Sequence, residues 1–290
     1  MRNIFSEKQR EDSISQDGYL VVDFLNQDEL EEIRRRSTEL GFGMDNQIKL
    51  RMSVVQGPDE NRQAIFERFL PIFQNAINRY LQNYKLIRIG IFDKLPGGKI
   101  VRVHQHPNLV DETKYRSVTI WVPLTDTTVE MGTLHVVKGS HQFSNHVRSY
   151  DDYFGAFERI SSKVMARYST AFSLRLGQAV IFDDRLIHWS PPNRSSRIRT
   201  AFQLISVPEE AELTIYYRAN RQELSKYAIS KESYRAIPFA QGKPDYLQEI
   251  EKLNQIPVVY KDREFISMMQ ERNPGCVSQK KKLFERLFNL

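Results

Sequence analysis

Residues 86–106 read LIRIGIFDKLPGGKIVRVHQH, and they give the clearest indication of strands in the chain. Two runs rich in β-branched residues flank Pro96-Gly97-Gly98, a combination that is typical of a turn between strands. The stretch therefore predicts a β-hairpin that carries two histidines at the end of its second strand.

Further short strands are predicted along the middle of the chain. They cover residues 116–124, 133–138, 171–175, 178–183 and 198–207. Many short strands that follow helical segments are typical of a β-sandwich or barrel with helices packed outside one sheet. The sequence therefore predicts a mainly β fold with flanking helices.

The N-terminal part supplies the helices. Residues 17–24, DGYLVVDF, predict a buried strand, and Asn26 with Glu29 forms the pattern of a capping box that opens a helix. A second helix is predicted to open at Pro58, and we expect Pro71 to kink or split it.

Composition narrows the class of protein. The chain has 290 residues, a net charge of +6, 40% hydrophobic and 27% charged residues, and one cysteine, Cys276. These values are typical of a globular protein. Without an apolar leader, a long apolar run or a disulfide pair, we expect a cytoplasmic protein with no transmembrane segment. The modest charge argues against nucleic-acid binding.

We expect a single domain over residues 1–290. Its core is predicted to cover about residues 15–207, and beyond residue 208 the pattern returns to that of helices. The last residues, KKKLFERLFNL, place apolar side chains on one helical face and predict a terminal helix that packs on the protein itself.

Three histidines carry the candidate chemistry. His104 and His106 are two positions apart in a predicted strand, so both side chains leave the same face and can reach one ion. His188 follows another predicted strand, 82 positions after His106. A histidine pair at this spacing is weak evidence alone, and the residues around it strengthen the interpretation.

The order of motifs resembles the phytanoyl-CoA dioxygenase family. That family has a His-x-Asp pair, a W-x-PL-x-D stretch, a GSH turn, and a distal His with Ser two and Arg eleven positions later. This chain has Trp121-Val122-Pro123-Leu124 with Asp126, then Gly139-Ser140-His141, and finally His188 with Ser190 and Arg199. The resemblance covers roughly residues 15 to 207.

The resemblance implies a fold and a set of cofactors. It implies a double-stranded β-helix core, which is the cupin-like jelly roll, with Fe(II) held by His104 and His188. It also implies that the distal carboxylate of 2-oxoglutarate meets Arg199 and Ser190. Gln105 and Trp121 match positions that line this pocket in the family.

One departure stands at the third ligand, where His106 replaces the family's aspartate. Three interpretations of His106 compete: it completes a three-histidine iron site, it swings aside for another ligand, or the site is degenerate. A neutral imidazole is a good iron ligand, so we favour the first. Asp111 or Glu112 reaches the metal only if the chain bends back after Pro107.

The resemblance implies an Fe(II)- and 2-oxoglutarate-dependent dioxygenase. It would use O₂ to hydroxylate, or otherwise oxidise, a C–H bond of a small-molecule substrate. Arg194 and Arg197 beside Arg199 point to an acidic or carrier-linked substrate. Two alternatives stay open: a three-histidine iron oxygenase that does not use 2-oxoglutarate, and a non-catalytic binding module on the same fold.

Overall fold

The structure is a computed structural model that describes residues 1–39, 50–54, 59–143, 146–152, 154–238 and 242–272. The α-helices in this part of the chain are α1 (Lys8–Asp17), α2 (Gln27–Glu39), α3 (Asp59–Asn78), α4 (Ser162–Tyr168), α5 (Lys231–Ala236) and α6 (Asp262–Arg272). None of them combines the length and the apolar character that a bilayer crossing requires.

Thirteen strands are described. They are β1 (Tyr19–Asp23), β2 (Leu50–Met52), β3 (Tyr84–Lys94), β4 (Val101–His104), β5 (Val118–Pro123), β6 (His135–Val136), β7 (Thr170–Ala171), β8 (Gln178–Asp183), β9 (His188–Ser190), β10 (Arg199–Pro208), β11 (Thr214–Arg218), β12 (Glu223–Ala228) and β13 (Glu249–Asn254).

The strands form three antiparallel sheets. A six-stranded sheet has the order β1-β8-β5-β10-β3-β2, a four-stranded sheet has the order β4-β9-β6-β7, and β11-β12-β13 form the third. The first two sheets are the layers of a jelly roll. The predicted mainly β fold with a double-stranded β-helix core and flanking helices is confirmed.

Strand β10 divides the helical core from the interior of the jelly roll. Phe202 is fully buried on the side of α3, and its ring centroid lies 4.9 Å from those of Phe69 and Phe73. Side chains alternate along a strand, so Arg199 and Gln203 lie on the opposite face of β10 and line a cavity there. The packing of α3 thus fixes which residues of β10 face inward.

The predicted hairpin over residues 86–106 is wrong, although both of its strands exist. Strand β3 has β10 and β2 as its two neighbours, so no edge of β3 is left for β4, which pairs with β9 in the other sheet. The connecting turn bonds to a distant loop instead: the Gly97 N–H donates to the Asn193 carbonyl (2.9 Å), and the Asn193 N–H donates to the Gly98 carbonyl (3.0 Å).

The predicted helical extension beyond residue 208 is also wrong over most of its described length. Three strands and two helices follow β10, and Ile215, Tyr217 and Tyr227 of the third sheet are buried in a cluster with Ile205 and Val207 of β10. The β-branched and aromatic residues of β11, TIYYR, carry a strand signal that a helical interpretation overlooks. Cys276 and the KKKLFERLFNL segment lie outside the described residues, and the single-domain organisation stays a prediction.

The N-terminal predictions have mixed outcomes. The capping box is confirmed: the Glu29 N–H donates to Asn26 Oδ1, and the Asn26 N–H donates to Glu29 Oε2, both at 2.9 Å. Helix α3 continues through Pro71 without a break. Strand β1 is an edge strand with exposed residues rather than a buried one, and the sequence interpretation missed α1 before it.

Replacing Phe202 by Ala is expected to destabilise the protein by about 3–5 kcal/mol, because it removes an aromatic ring from a closely packed core. Urea unfolding followed by far-UV circular dichroism measures the change. Val21→Ala is the matched control, because Val21 lies on the same sheet but is 38% exposed, and its expected effect is within about 0.5 kcal/mol. Equal losses in the two variants would contradict this account of the core.

Candidate metal centre and adjoining cavity

Two of the candidate histidines are direct cross-strand partners. Strands β4 and β9 pair antiparallel, and His104 stands opposite His188 in their register. Their ring centroids lie 4.1 Å apart, and both residues are buried. Residues 84 positions apart in the chain (188 − 104 = 84) are therefore brought together by backbone pairing.

His106 joins them from just beyond the end of β4. Its backbone N–H donates to the Asp184 carbonyl (2.8 Å), which holds this part of the chain against the segment that follows β8. The His106 ring centroid lies 4.6 Å from that of His188 and 5.6 Å from that of His104. The three ligand atoms lie within 4.8 Å of one another, so the structure brings together all three predicted metal ligands.

Hydrogen bonds on Nδ1 set the orientation of the rings. Nδ1 of His104 lies 2.7 Å from the Arg102 carbonyl, and Nδ1 of His188 lies 2.8 Å from the Leu186 carbonyl. A carbonyl only accepts, so both Nδ1 atoms carry the proton, and the lone pair lies on Nε2. Nδ1 of His106 lies 3.0 Å from an oxygen of the Asp184 carboxylate, which favours the same tautomer.

Two of the three rings, those of His104 and His188, are held in the neutral state that binds metals. Burial, reinforced by the neighbouring His106, lowers the pKa of His104 to about 3. Burial and the other two histidines hold the pKa of His188 well below its ordinary value. Three buried imidazoles with hydrogen-bonded Nδ1 atoms fit a divalent transition-metal ion.

A cavity of about 410 Å³ adjoins the histidines. Predicted site residues that line it are His104, Trp121, His188, Ser190 and Arg199. Most of the remaining wall is apolar and includes Phe92, Phe154 and Trp189. The Gln203 amide also lines the cavity and lies 3.1 Å from Nε2 of His106, so a metal ion on that nitrogen displaces this contact.

Two buried basic side chains lie beside the cavity. Arg199 on β10 stands opposite Lys94 on β3 in the sheet register, and both are buried. Like charges in directly opposite positions destabilise a sheet. No Asp or Glu of the described residues forms an ion pair with either. The arrangement therefore suits an anionic group from outside the chain.

Burial lowers the pKa of the two basic groups to different values. Burial lowers the pKa of Arg199 to about 10, so its guanidinium stays charged at neutral pH. Burial, together with Arg199, lowers the pKa of Lys94 to about 6. The Lys94 amine donates to the Ser190 hydroxyl and to the Pro191 carbonyl (2.7 Å). The Arg199 guanidinium carbon lies 5.4 Å from the centre of the Trp121 ring.

Gln105 is the one predicted pocket residue that the structure does not bring into the cavity. It lies between His104 and His106, so strand alternation directs its side chain to the other side of the chain. There its amide donates to the Arg185 carbonyl, and the residue lines a separate cavity of about 30 Å³ with His146 and Arg148.

Other charged residues near the motifs also lie away from the metal centre. Glu112 pairs with Arg148, and Asp111 accepts hydrogen bonds from Thr113, so neither carboxylate joins the histidines. Arg194 and Arg197 are exposed and are not part of the cavity wall.

Sequence reasoning missed three residues of the site, which are Lys94, Thr119 and Gln203. Each sits in an apolar strand at a position that faces the cavity or its edge, and strand register alone decides that placement. The one signal in the sequence is a lysine at the end of the predicted strand LIRIGIFDK, because an unpaired lysine is rarely buried.

Replacing His104, His106 or His188 by Ala one at a time is expected to weaken Co(II) binding by more than about 100-fold, since each loss removes a ligand. The cobalt absorption spectrum, titrated without oxygen, measures the affinity. His135→Gln is the matched control because His135 lies in the same sheet outside the cluster. A loss in the control as large as in the three variants would contradict the assignment.

Comparison with known proteins gives an independent result for the fold. No curated protein sequence matches the chain. Among solved structures, HygX from Streptomyces hygroscopicus with nickel and 2-oxoglutarate bound aligns over 70% of this chain and 88% of its own, with a TM-score of 0.51 and 16% identity. The epimerase SnoN, in complex with Fe³⁺, alpha ketoglutarate and nogalamycin RO, aligns over 70% and 83%, with a TM-score of 0.50 and 18% identity.

At these identities the likeness to solved structures speaks for the fold alone. The family is shown by a sequence model, that of phytanoyl-CoA dioxygenase (PhyH), which matches residues 14–201 of the 290. That span contains every histidine of the cluster together with Ser190 and Arg199. The chain therefore belongs to the phytanoyl-CoA dioxygenase family of Fe(II)- and 2-oxoglutarate-dependent oxygenases.

Proposed function

We propose that this protein binds Fe(II) through His104, His106 and His188, binds 2-oxoglutarate beside Arg199, and uses O₂ to oxidise a C–H bond of a small molecule. One observation carries the proposal: His104 and His188 of the three-imidazole cluster line a cavity whose wall also holds a buried arginine with no carboxylate partner among the described residues.

The metal part rests on the donor set. Three imidazole ligands leave further coordination positions for a chelating oxo-acid and for O₂, as non-haem iron oxygenases require. The bound iron supplies the activation of O₂. The protein's own contribution is to hold the three rings in one tautomer and to keep the site dry, because the cluster is buried.

The cosubstrate part rests on charge. A dicarboxylate supplies negative charge that can pair with Arg199 and Lys94. Arg199 offers a planar fork for one carboxylate, and the Ser190 hydroxyl, which accepts from Lys94, keeps its own proton to donate to the same group. Trp121 covers the guanidinium with its ring face.

The substrate is inferred to be small and largely apolar. A cavity of about 410 Å³ lies near the lower end of the range for ligand pockets, about 300–1,000 Å³, and 2-oxoglutarate occupies part of it. Arg102 is an exposed cation in the cavity wall, with its guanidinium 5.0 Å from the Phe154 ring, so an acidic group on the substrate fits there.

The test of the proposed function is an anaerobic titration of the protein with Fe(II) and 2-oxoglutarate. A chelated oxo-acid gives a visible charge-transfer absorption, which we expect here. Addition of O₂ with a panel of apolar acids should then release succinate mole for mole with oxidised product. Product without succinate would favour the three-histidine oxygenase that does not use 2-oxoglutarate, and failure to retain iron would favour a binding module.

Arg199→Ala is expected to weaken 2-oxoglutarate binding by about 30- to 100-fold, because a charge-assisted bidentate contact is lost. Titration of the charge-transfer absorption measures the affinity in the iron-loaded protein. Arg197→Ala is the matched control, since Arg197 is an exposed arginine two positions away. If both variants bind 2-oxoglutarate as the parent protein does, Arg199 does not hold the cosubstrate.

The affinity for 2-oxoglutarate is expected to fall as pH rises above about 6, by up to about tenfold per pH unit. The pKa of Lys94 is about 6 without an anion, and a nearby carboxylate raises it, so binding takes up a proton. Calorimetry at pH 8 in two buffers of different ionisation enthalpy measures this uptake. Lys94→Met is expected to abolish it, and uptake that persists in this variant would assign the proton to another group.

The cytoplasmic location stays a prediction from the sequence. The same holds for a carrier-linked substrate, for which the described cavity supplies no separate support.

A further inference from the structure

A buried carboxylate lies directly behind the metal centre. Oδ1 of Asp184 is 3.0 Å from Nδ1 of His106, and the side chains of the two residues are 0% and 2% exposed. The Thr119 hydroxyl lies 2.6 Å from the same carboxylate oxygen and 2.8 Å from the same ring nitrogen. The three side chains form a compact network on the Nδ1 side of the ring.

The backbone holds this network rigidly. The His106 N–H donates to the Asp184 carbonyl (2.8 Å), and the Asp184 N–H donates to the Ser117 carbonyl (3.2 Å). Thr119 lies on β5, which pairs with β8 immediately before Asp184. The positions of Asp184 and His106 relative to each other are therefore set by main-chain hydrogen bonds rather than by the side chains alone.

Among the described residues, no lysine or arginine compensates the charge of Asp184. None of them forms an ion pair with it, and its second oxygen, Oδ2, has no hydrogen-bond partner there. A buried carboxylate is costly unless a positive charge compensates it. His106 is the ring of the cluster that contacts Asp184, so a cation bound to His106 can compensate the carboxylate's charge.

We propose that Asp184 is the anionic partner of the metal centre and the positioning residue for His106. In the family pattern an aspartate binds the metal directly, whereas here a histidine takes that place. Asp184 then supplies the negative charge without binding the metal, because its carboxylate contacts Nδ1 of His106 while Nε2 faces the metal site. It also fixes the proton on Nδ1 and so directs the Nε2 lone pair toward His104 and His188. The inference rests on the proposed metal site.

The first test is Asp184→Asn, which keeps the shape of the side chain and removes its charge. Co(II) affinity, titrated without oxygen, is expected to fall about 10- to 100-fold. The metal-free variant is expected to unfold at the same or a higher temperature than the parent protein, because an uncompensated buried charge is gone. A residue with a merely structural role would instead lower the unfolding temperature of the metal-free protein.

The second test moves the carboxylate into the metal's own ligand set. His106→Asp alone places two buried carboxylates side by side, which disfavours ionisation of both. Adding Asp184→Asn to that variant is therefore expected to raise Co(II) affinity, although the same change lowers it when His106 is present. A change in Co(II) affinity that reverses direction between the two backgrounds is expected only if Asp184 and residue 106 together carry the negative charge of the metal site.

The outcomes separate the two proposals. If the parent protein does not bind Co(II), the metal site itself is wrong. If the parent protein binds Co(II) and Asp184→Asn binds it equally well, the metal site stands and the role of Asp184 is wrong. An equal loss of affinity from Asp184→Asn in both the His106 and the His106→Asp backgrounds would also overturn the role proposed for Asp184.

Discussion

The antiparallel pairing of β4 with β9 is the interaction on which the site depends. It sets His104 directly opposite His188, and both rings then point into the interior of the jelly roll. Main-chain hydrogen bonds fix this register. A slip by one residue would turn one of the two imidazoles to the other face of the sheet. Strand β3 already has β10 and β2 as neighbours, so β4 cannot pair with it. The turn after Lys94 therefore carries the chain to the other sheet.

Charge balance is the second organising constraint. Lys94 and Arg199 face each other on neighbouring strands beside the cavity, whereas the Asp184 carboxylate lies behind the imidazoles. Neither the cations nor the carboxylate has an ion pair with an oppositely charged Lys, Arg, Asp or Glu in the described ranges. In the function that we propose, a divalent cation on the histidines and a dicarboxylate beside Arg199 compensate both. The site is thus complementary to a pair of ligands of opposite charge.

The same charges explain why a histidine can stand where the family has an aspartate. Exchange of a carboxylate ligand for an imidazole raises the charge of the metal centre by one unit. Asp184, bonded to the far side of His106, returns a negative charge at a short distance without occupying a coordination position. Thr119 completes the hydrogen bonds of that carboxylate oxygen, so the network depends on β5 as well as on the two histidine-bearing segments.

The strand-rich fold, the capping box at Asn26 and the three histidines could all be predicted from the sequence, because strand periodicity and short motifs are visible in the order of residues. Which strands share a sheet could not be predicted. In the structure, β3 and β4 lie in different sheets, β11, β12 and β13 form a third sheet, and the Gln105 side chain lies away from the cavity. The tertiary structure also brings Lys94 to Arg199 and Asp184 to His106. Such pairings join residues more than 75 positions apart. They arise from strand register and sheet order, which no local sequence pattern encodes.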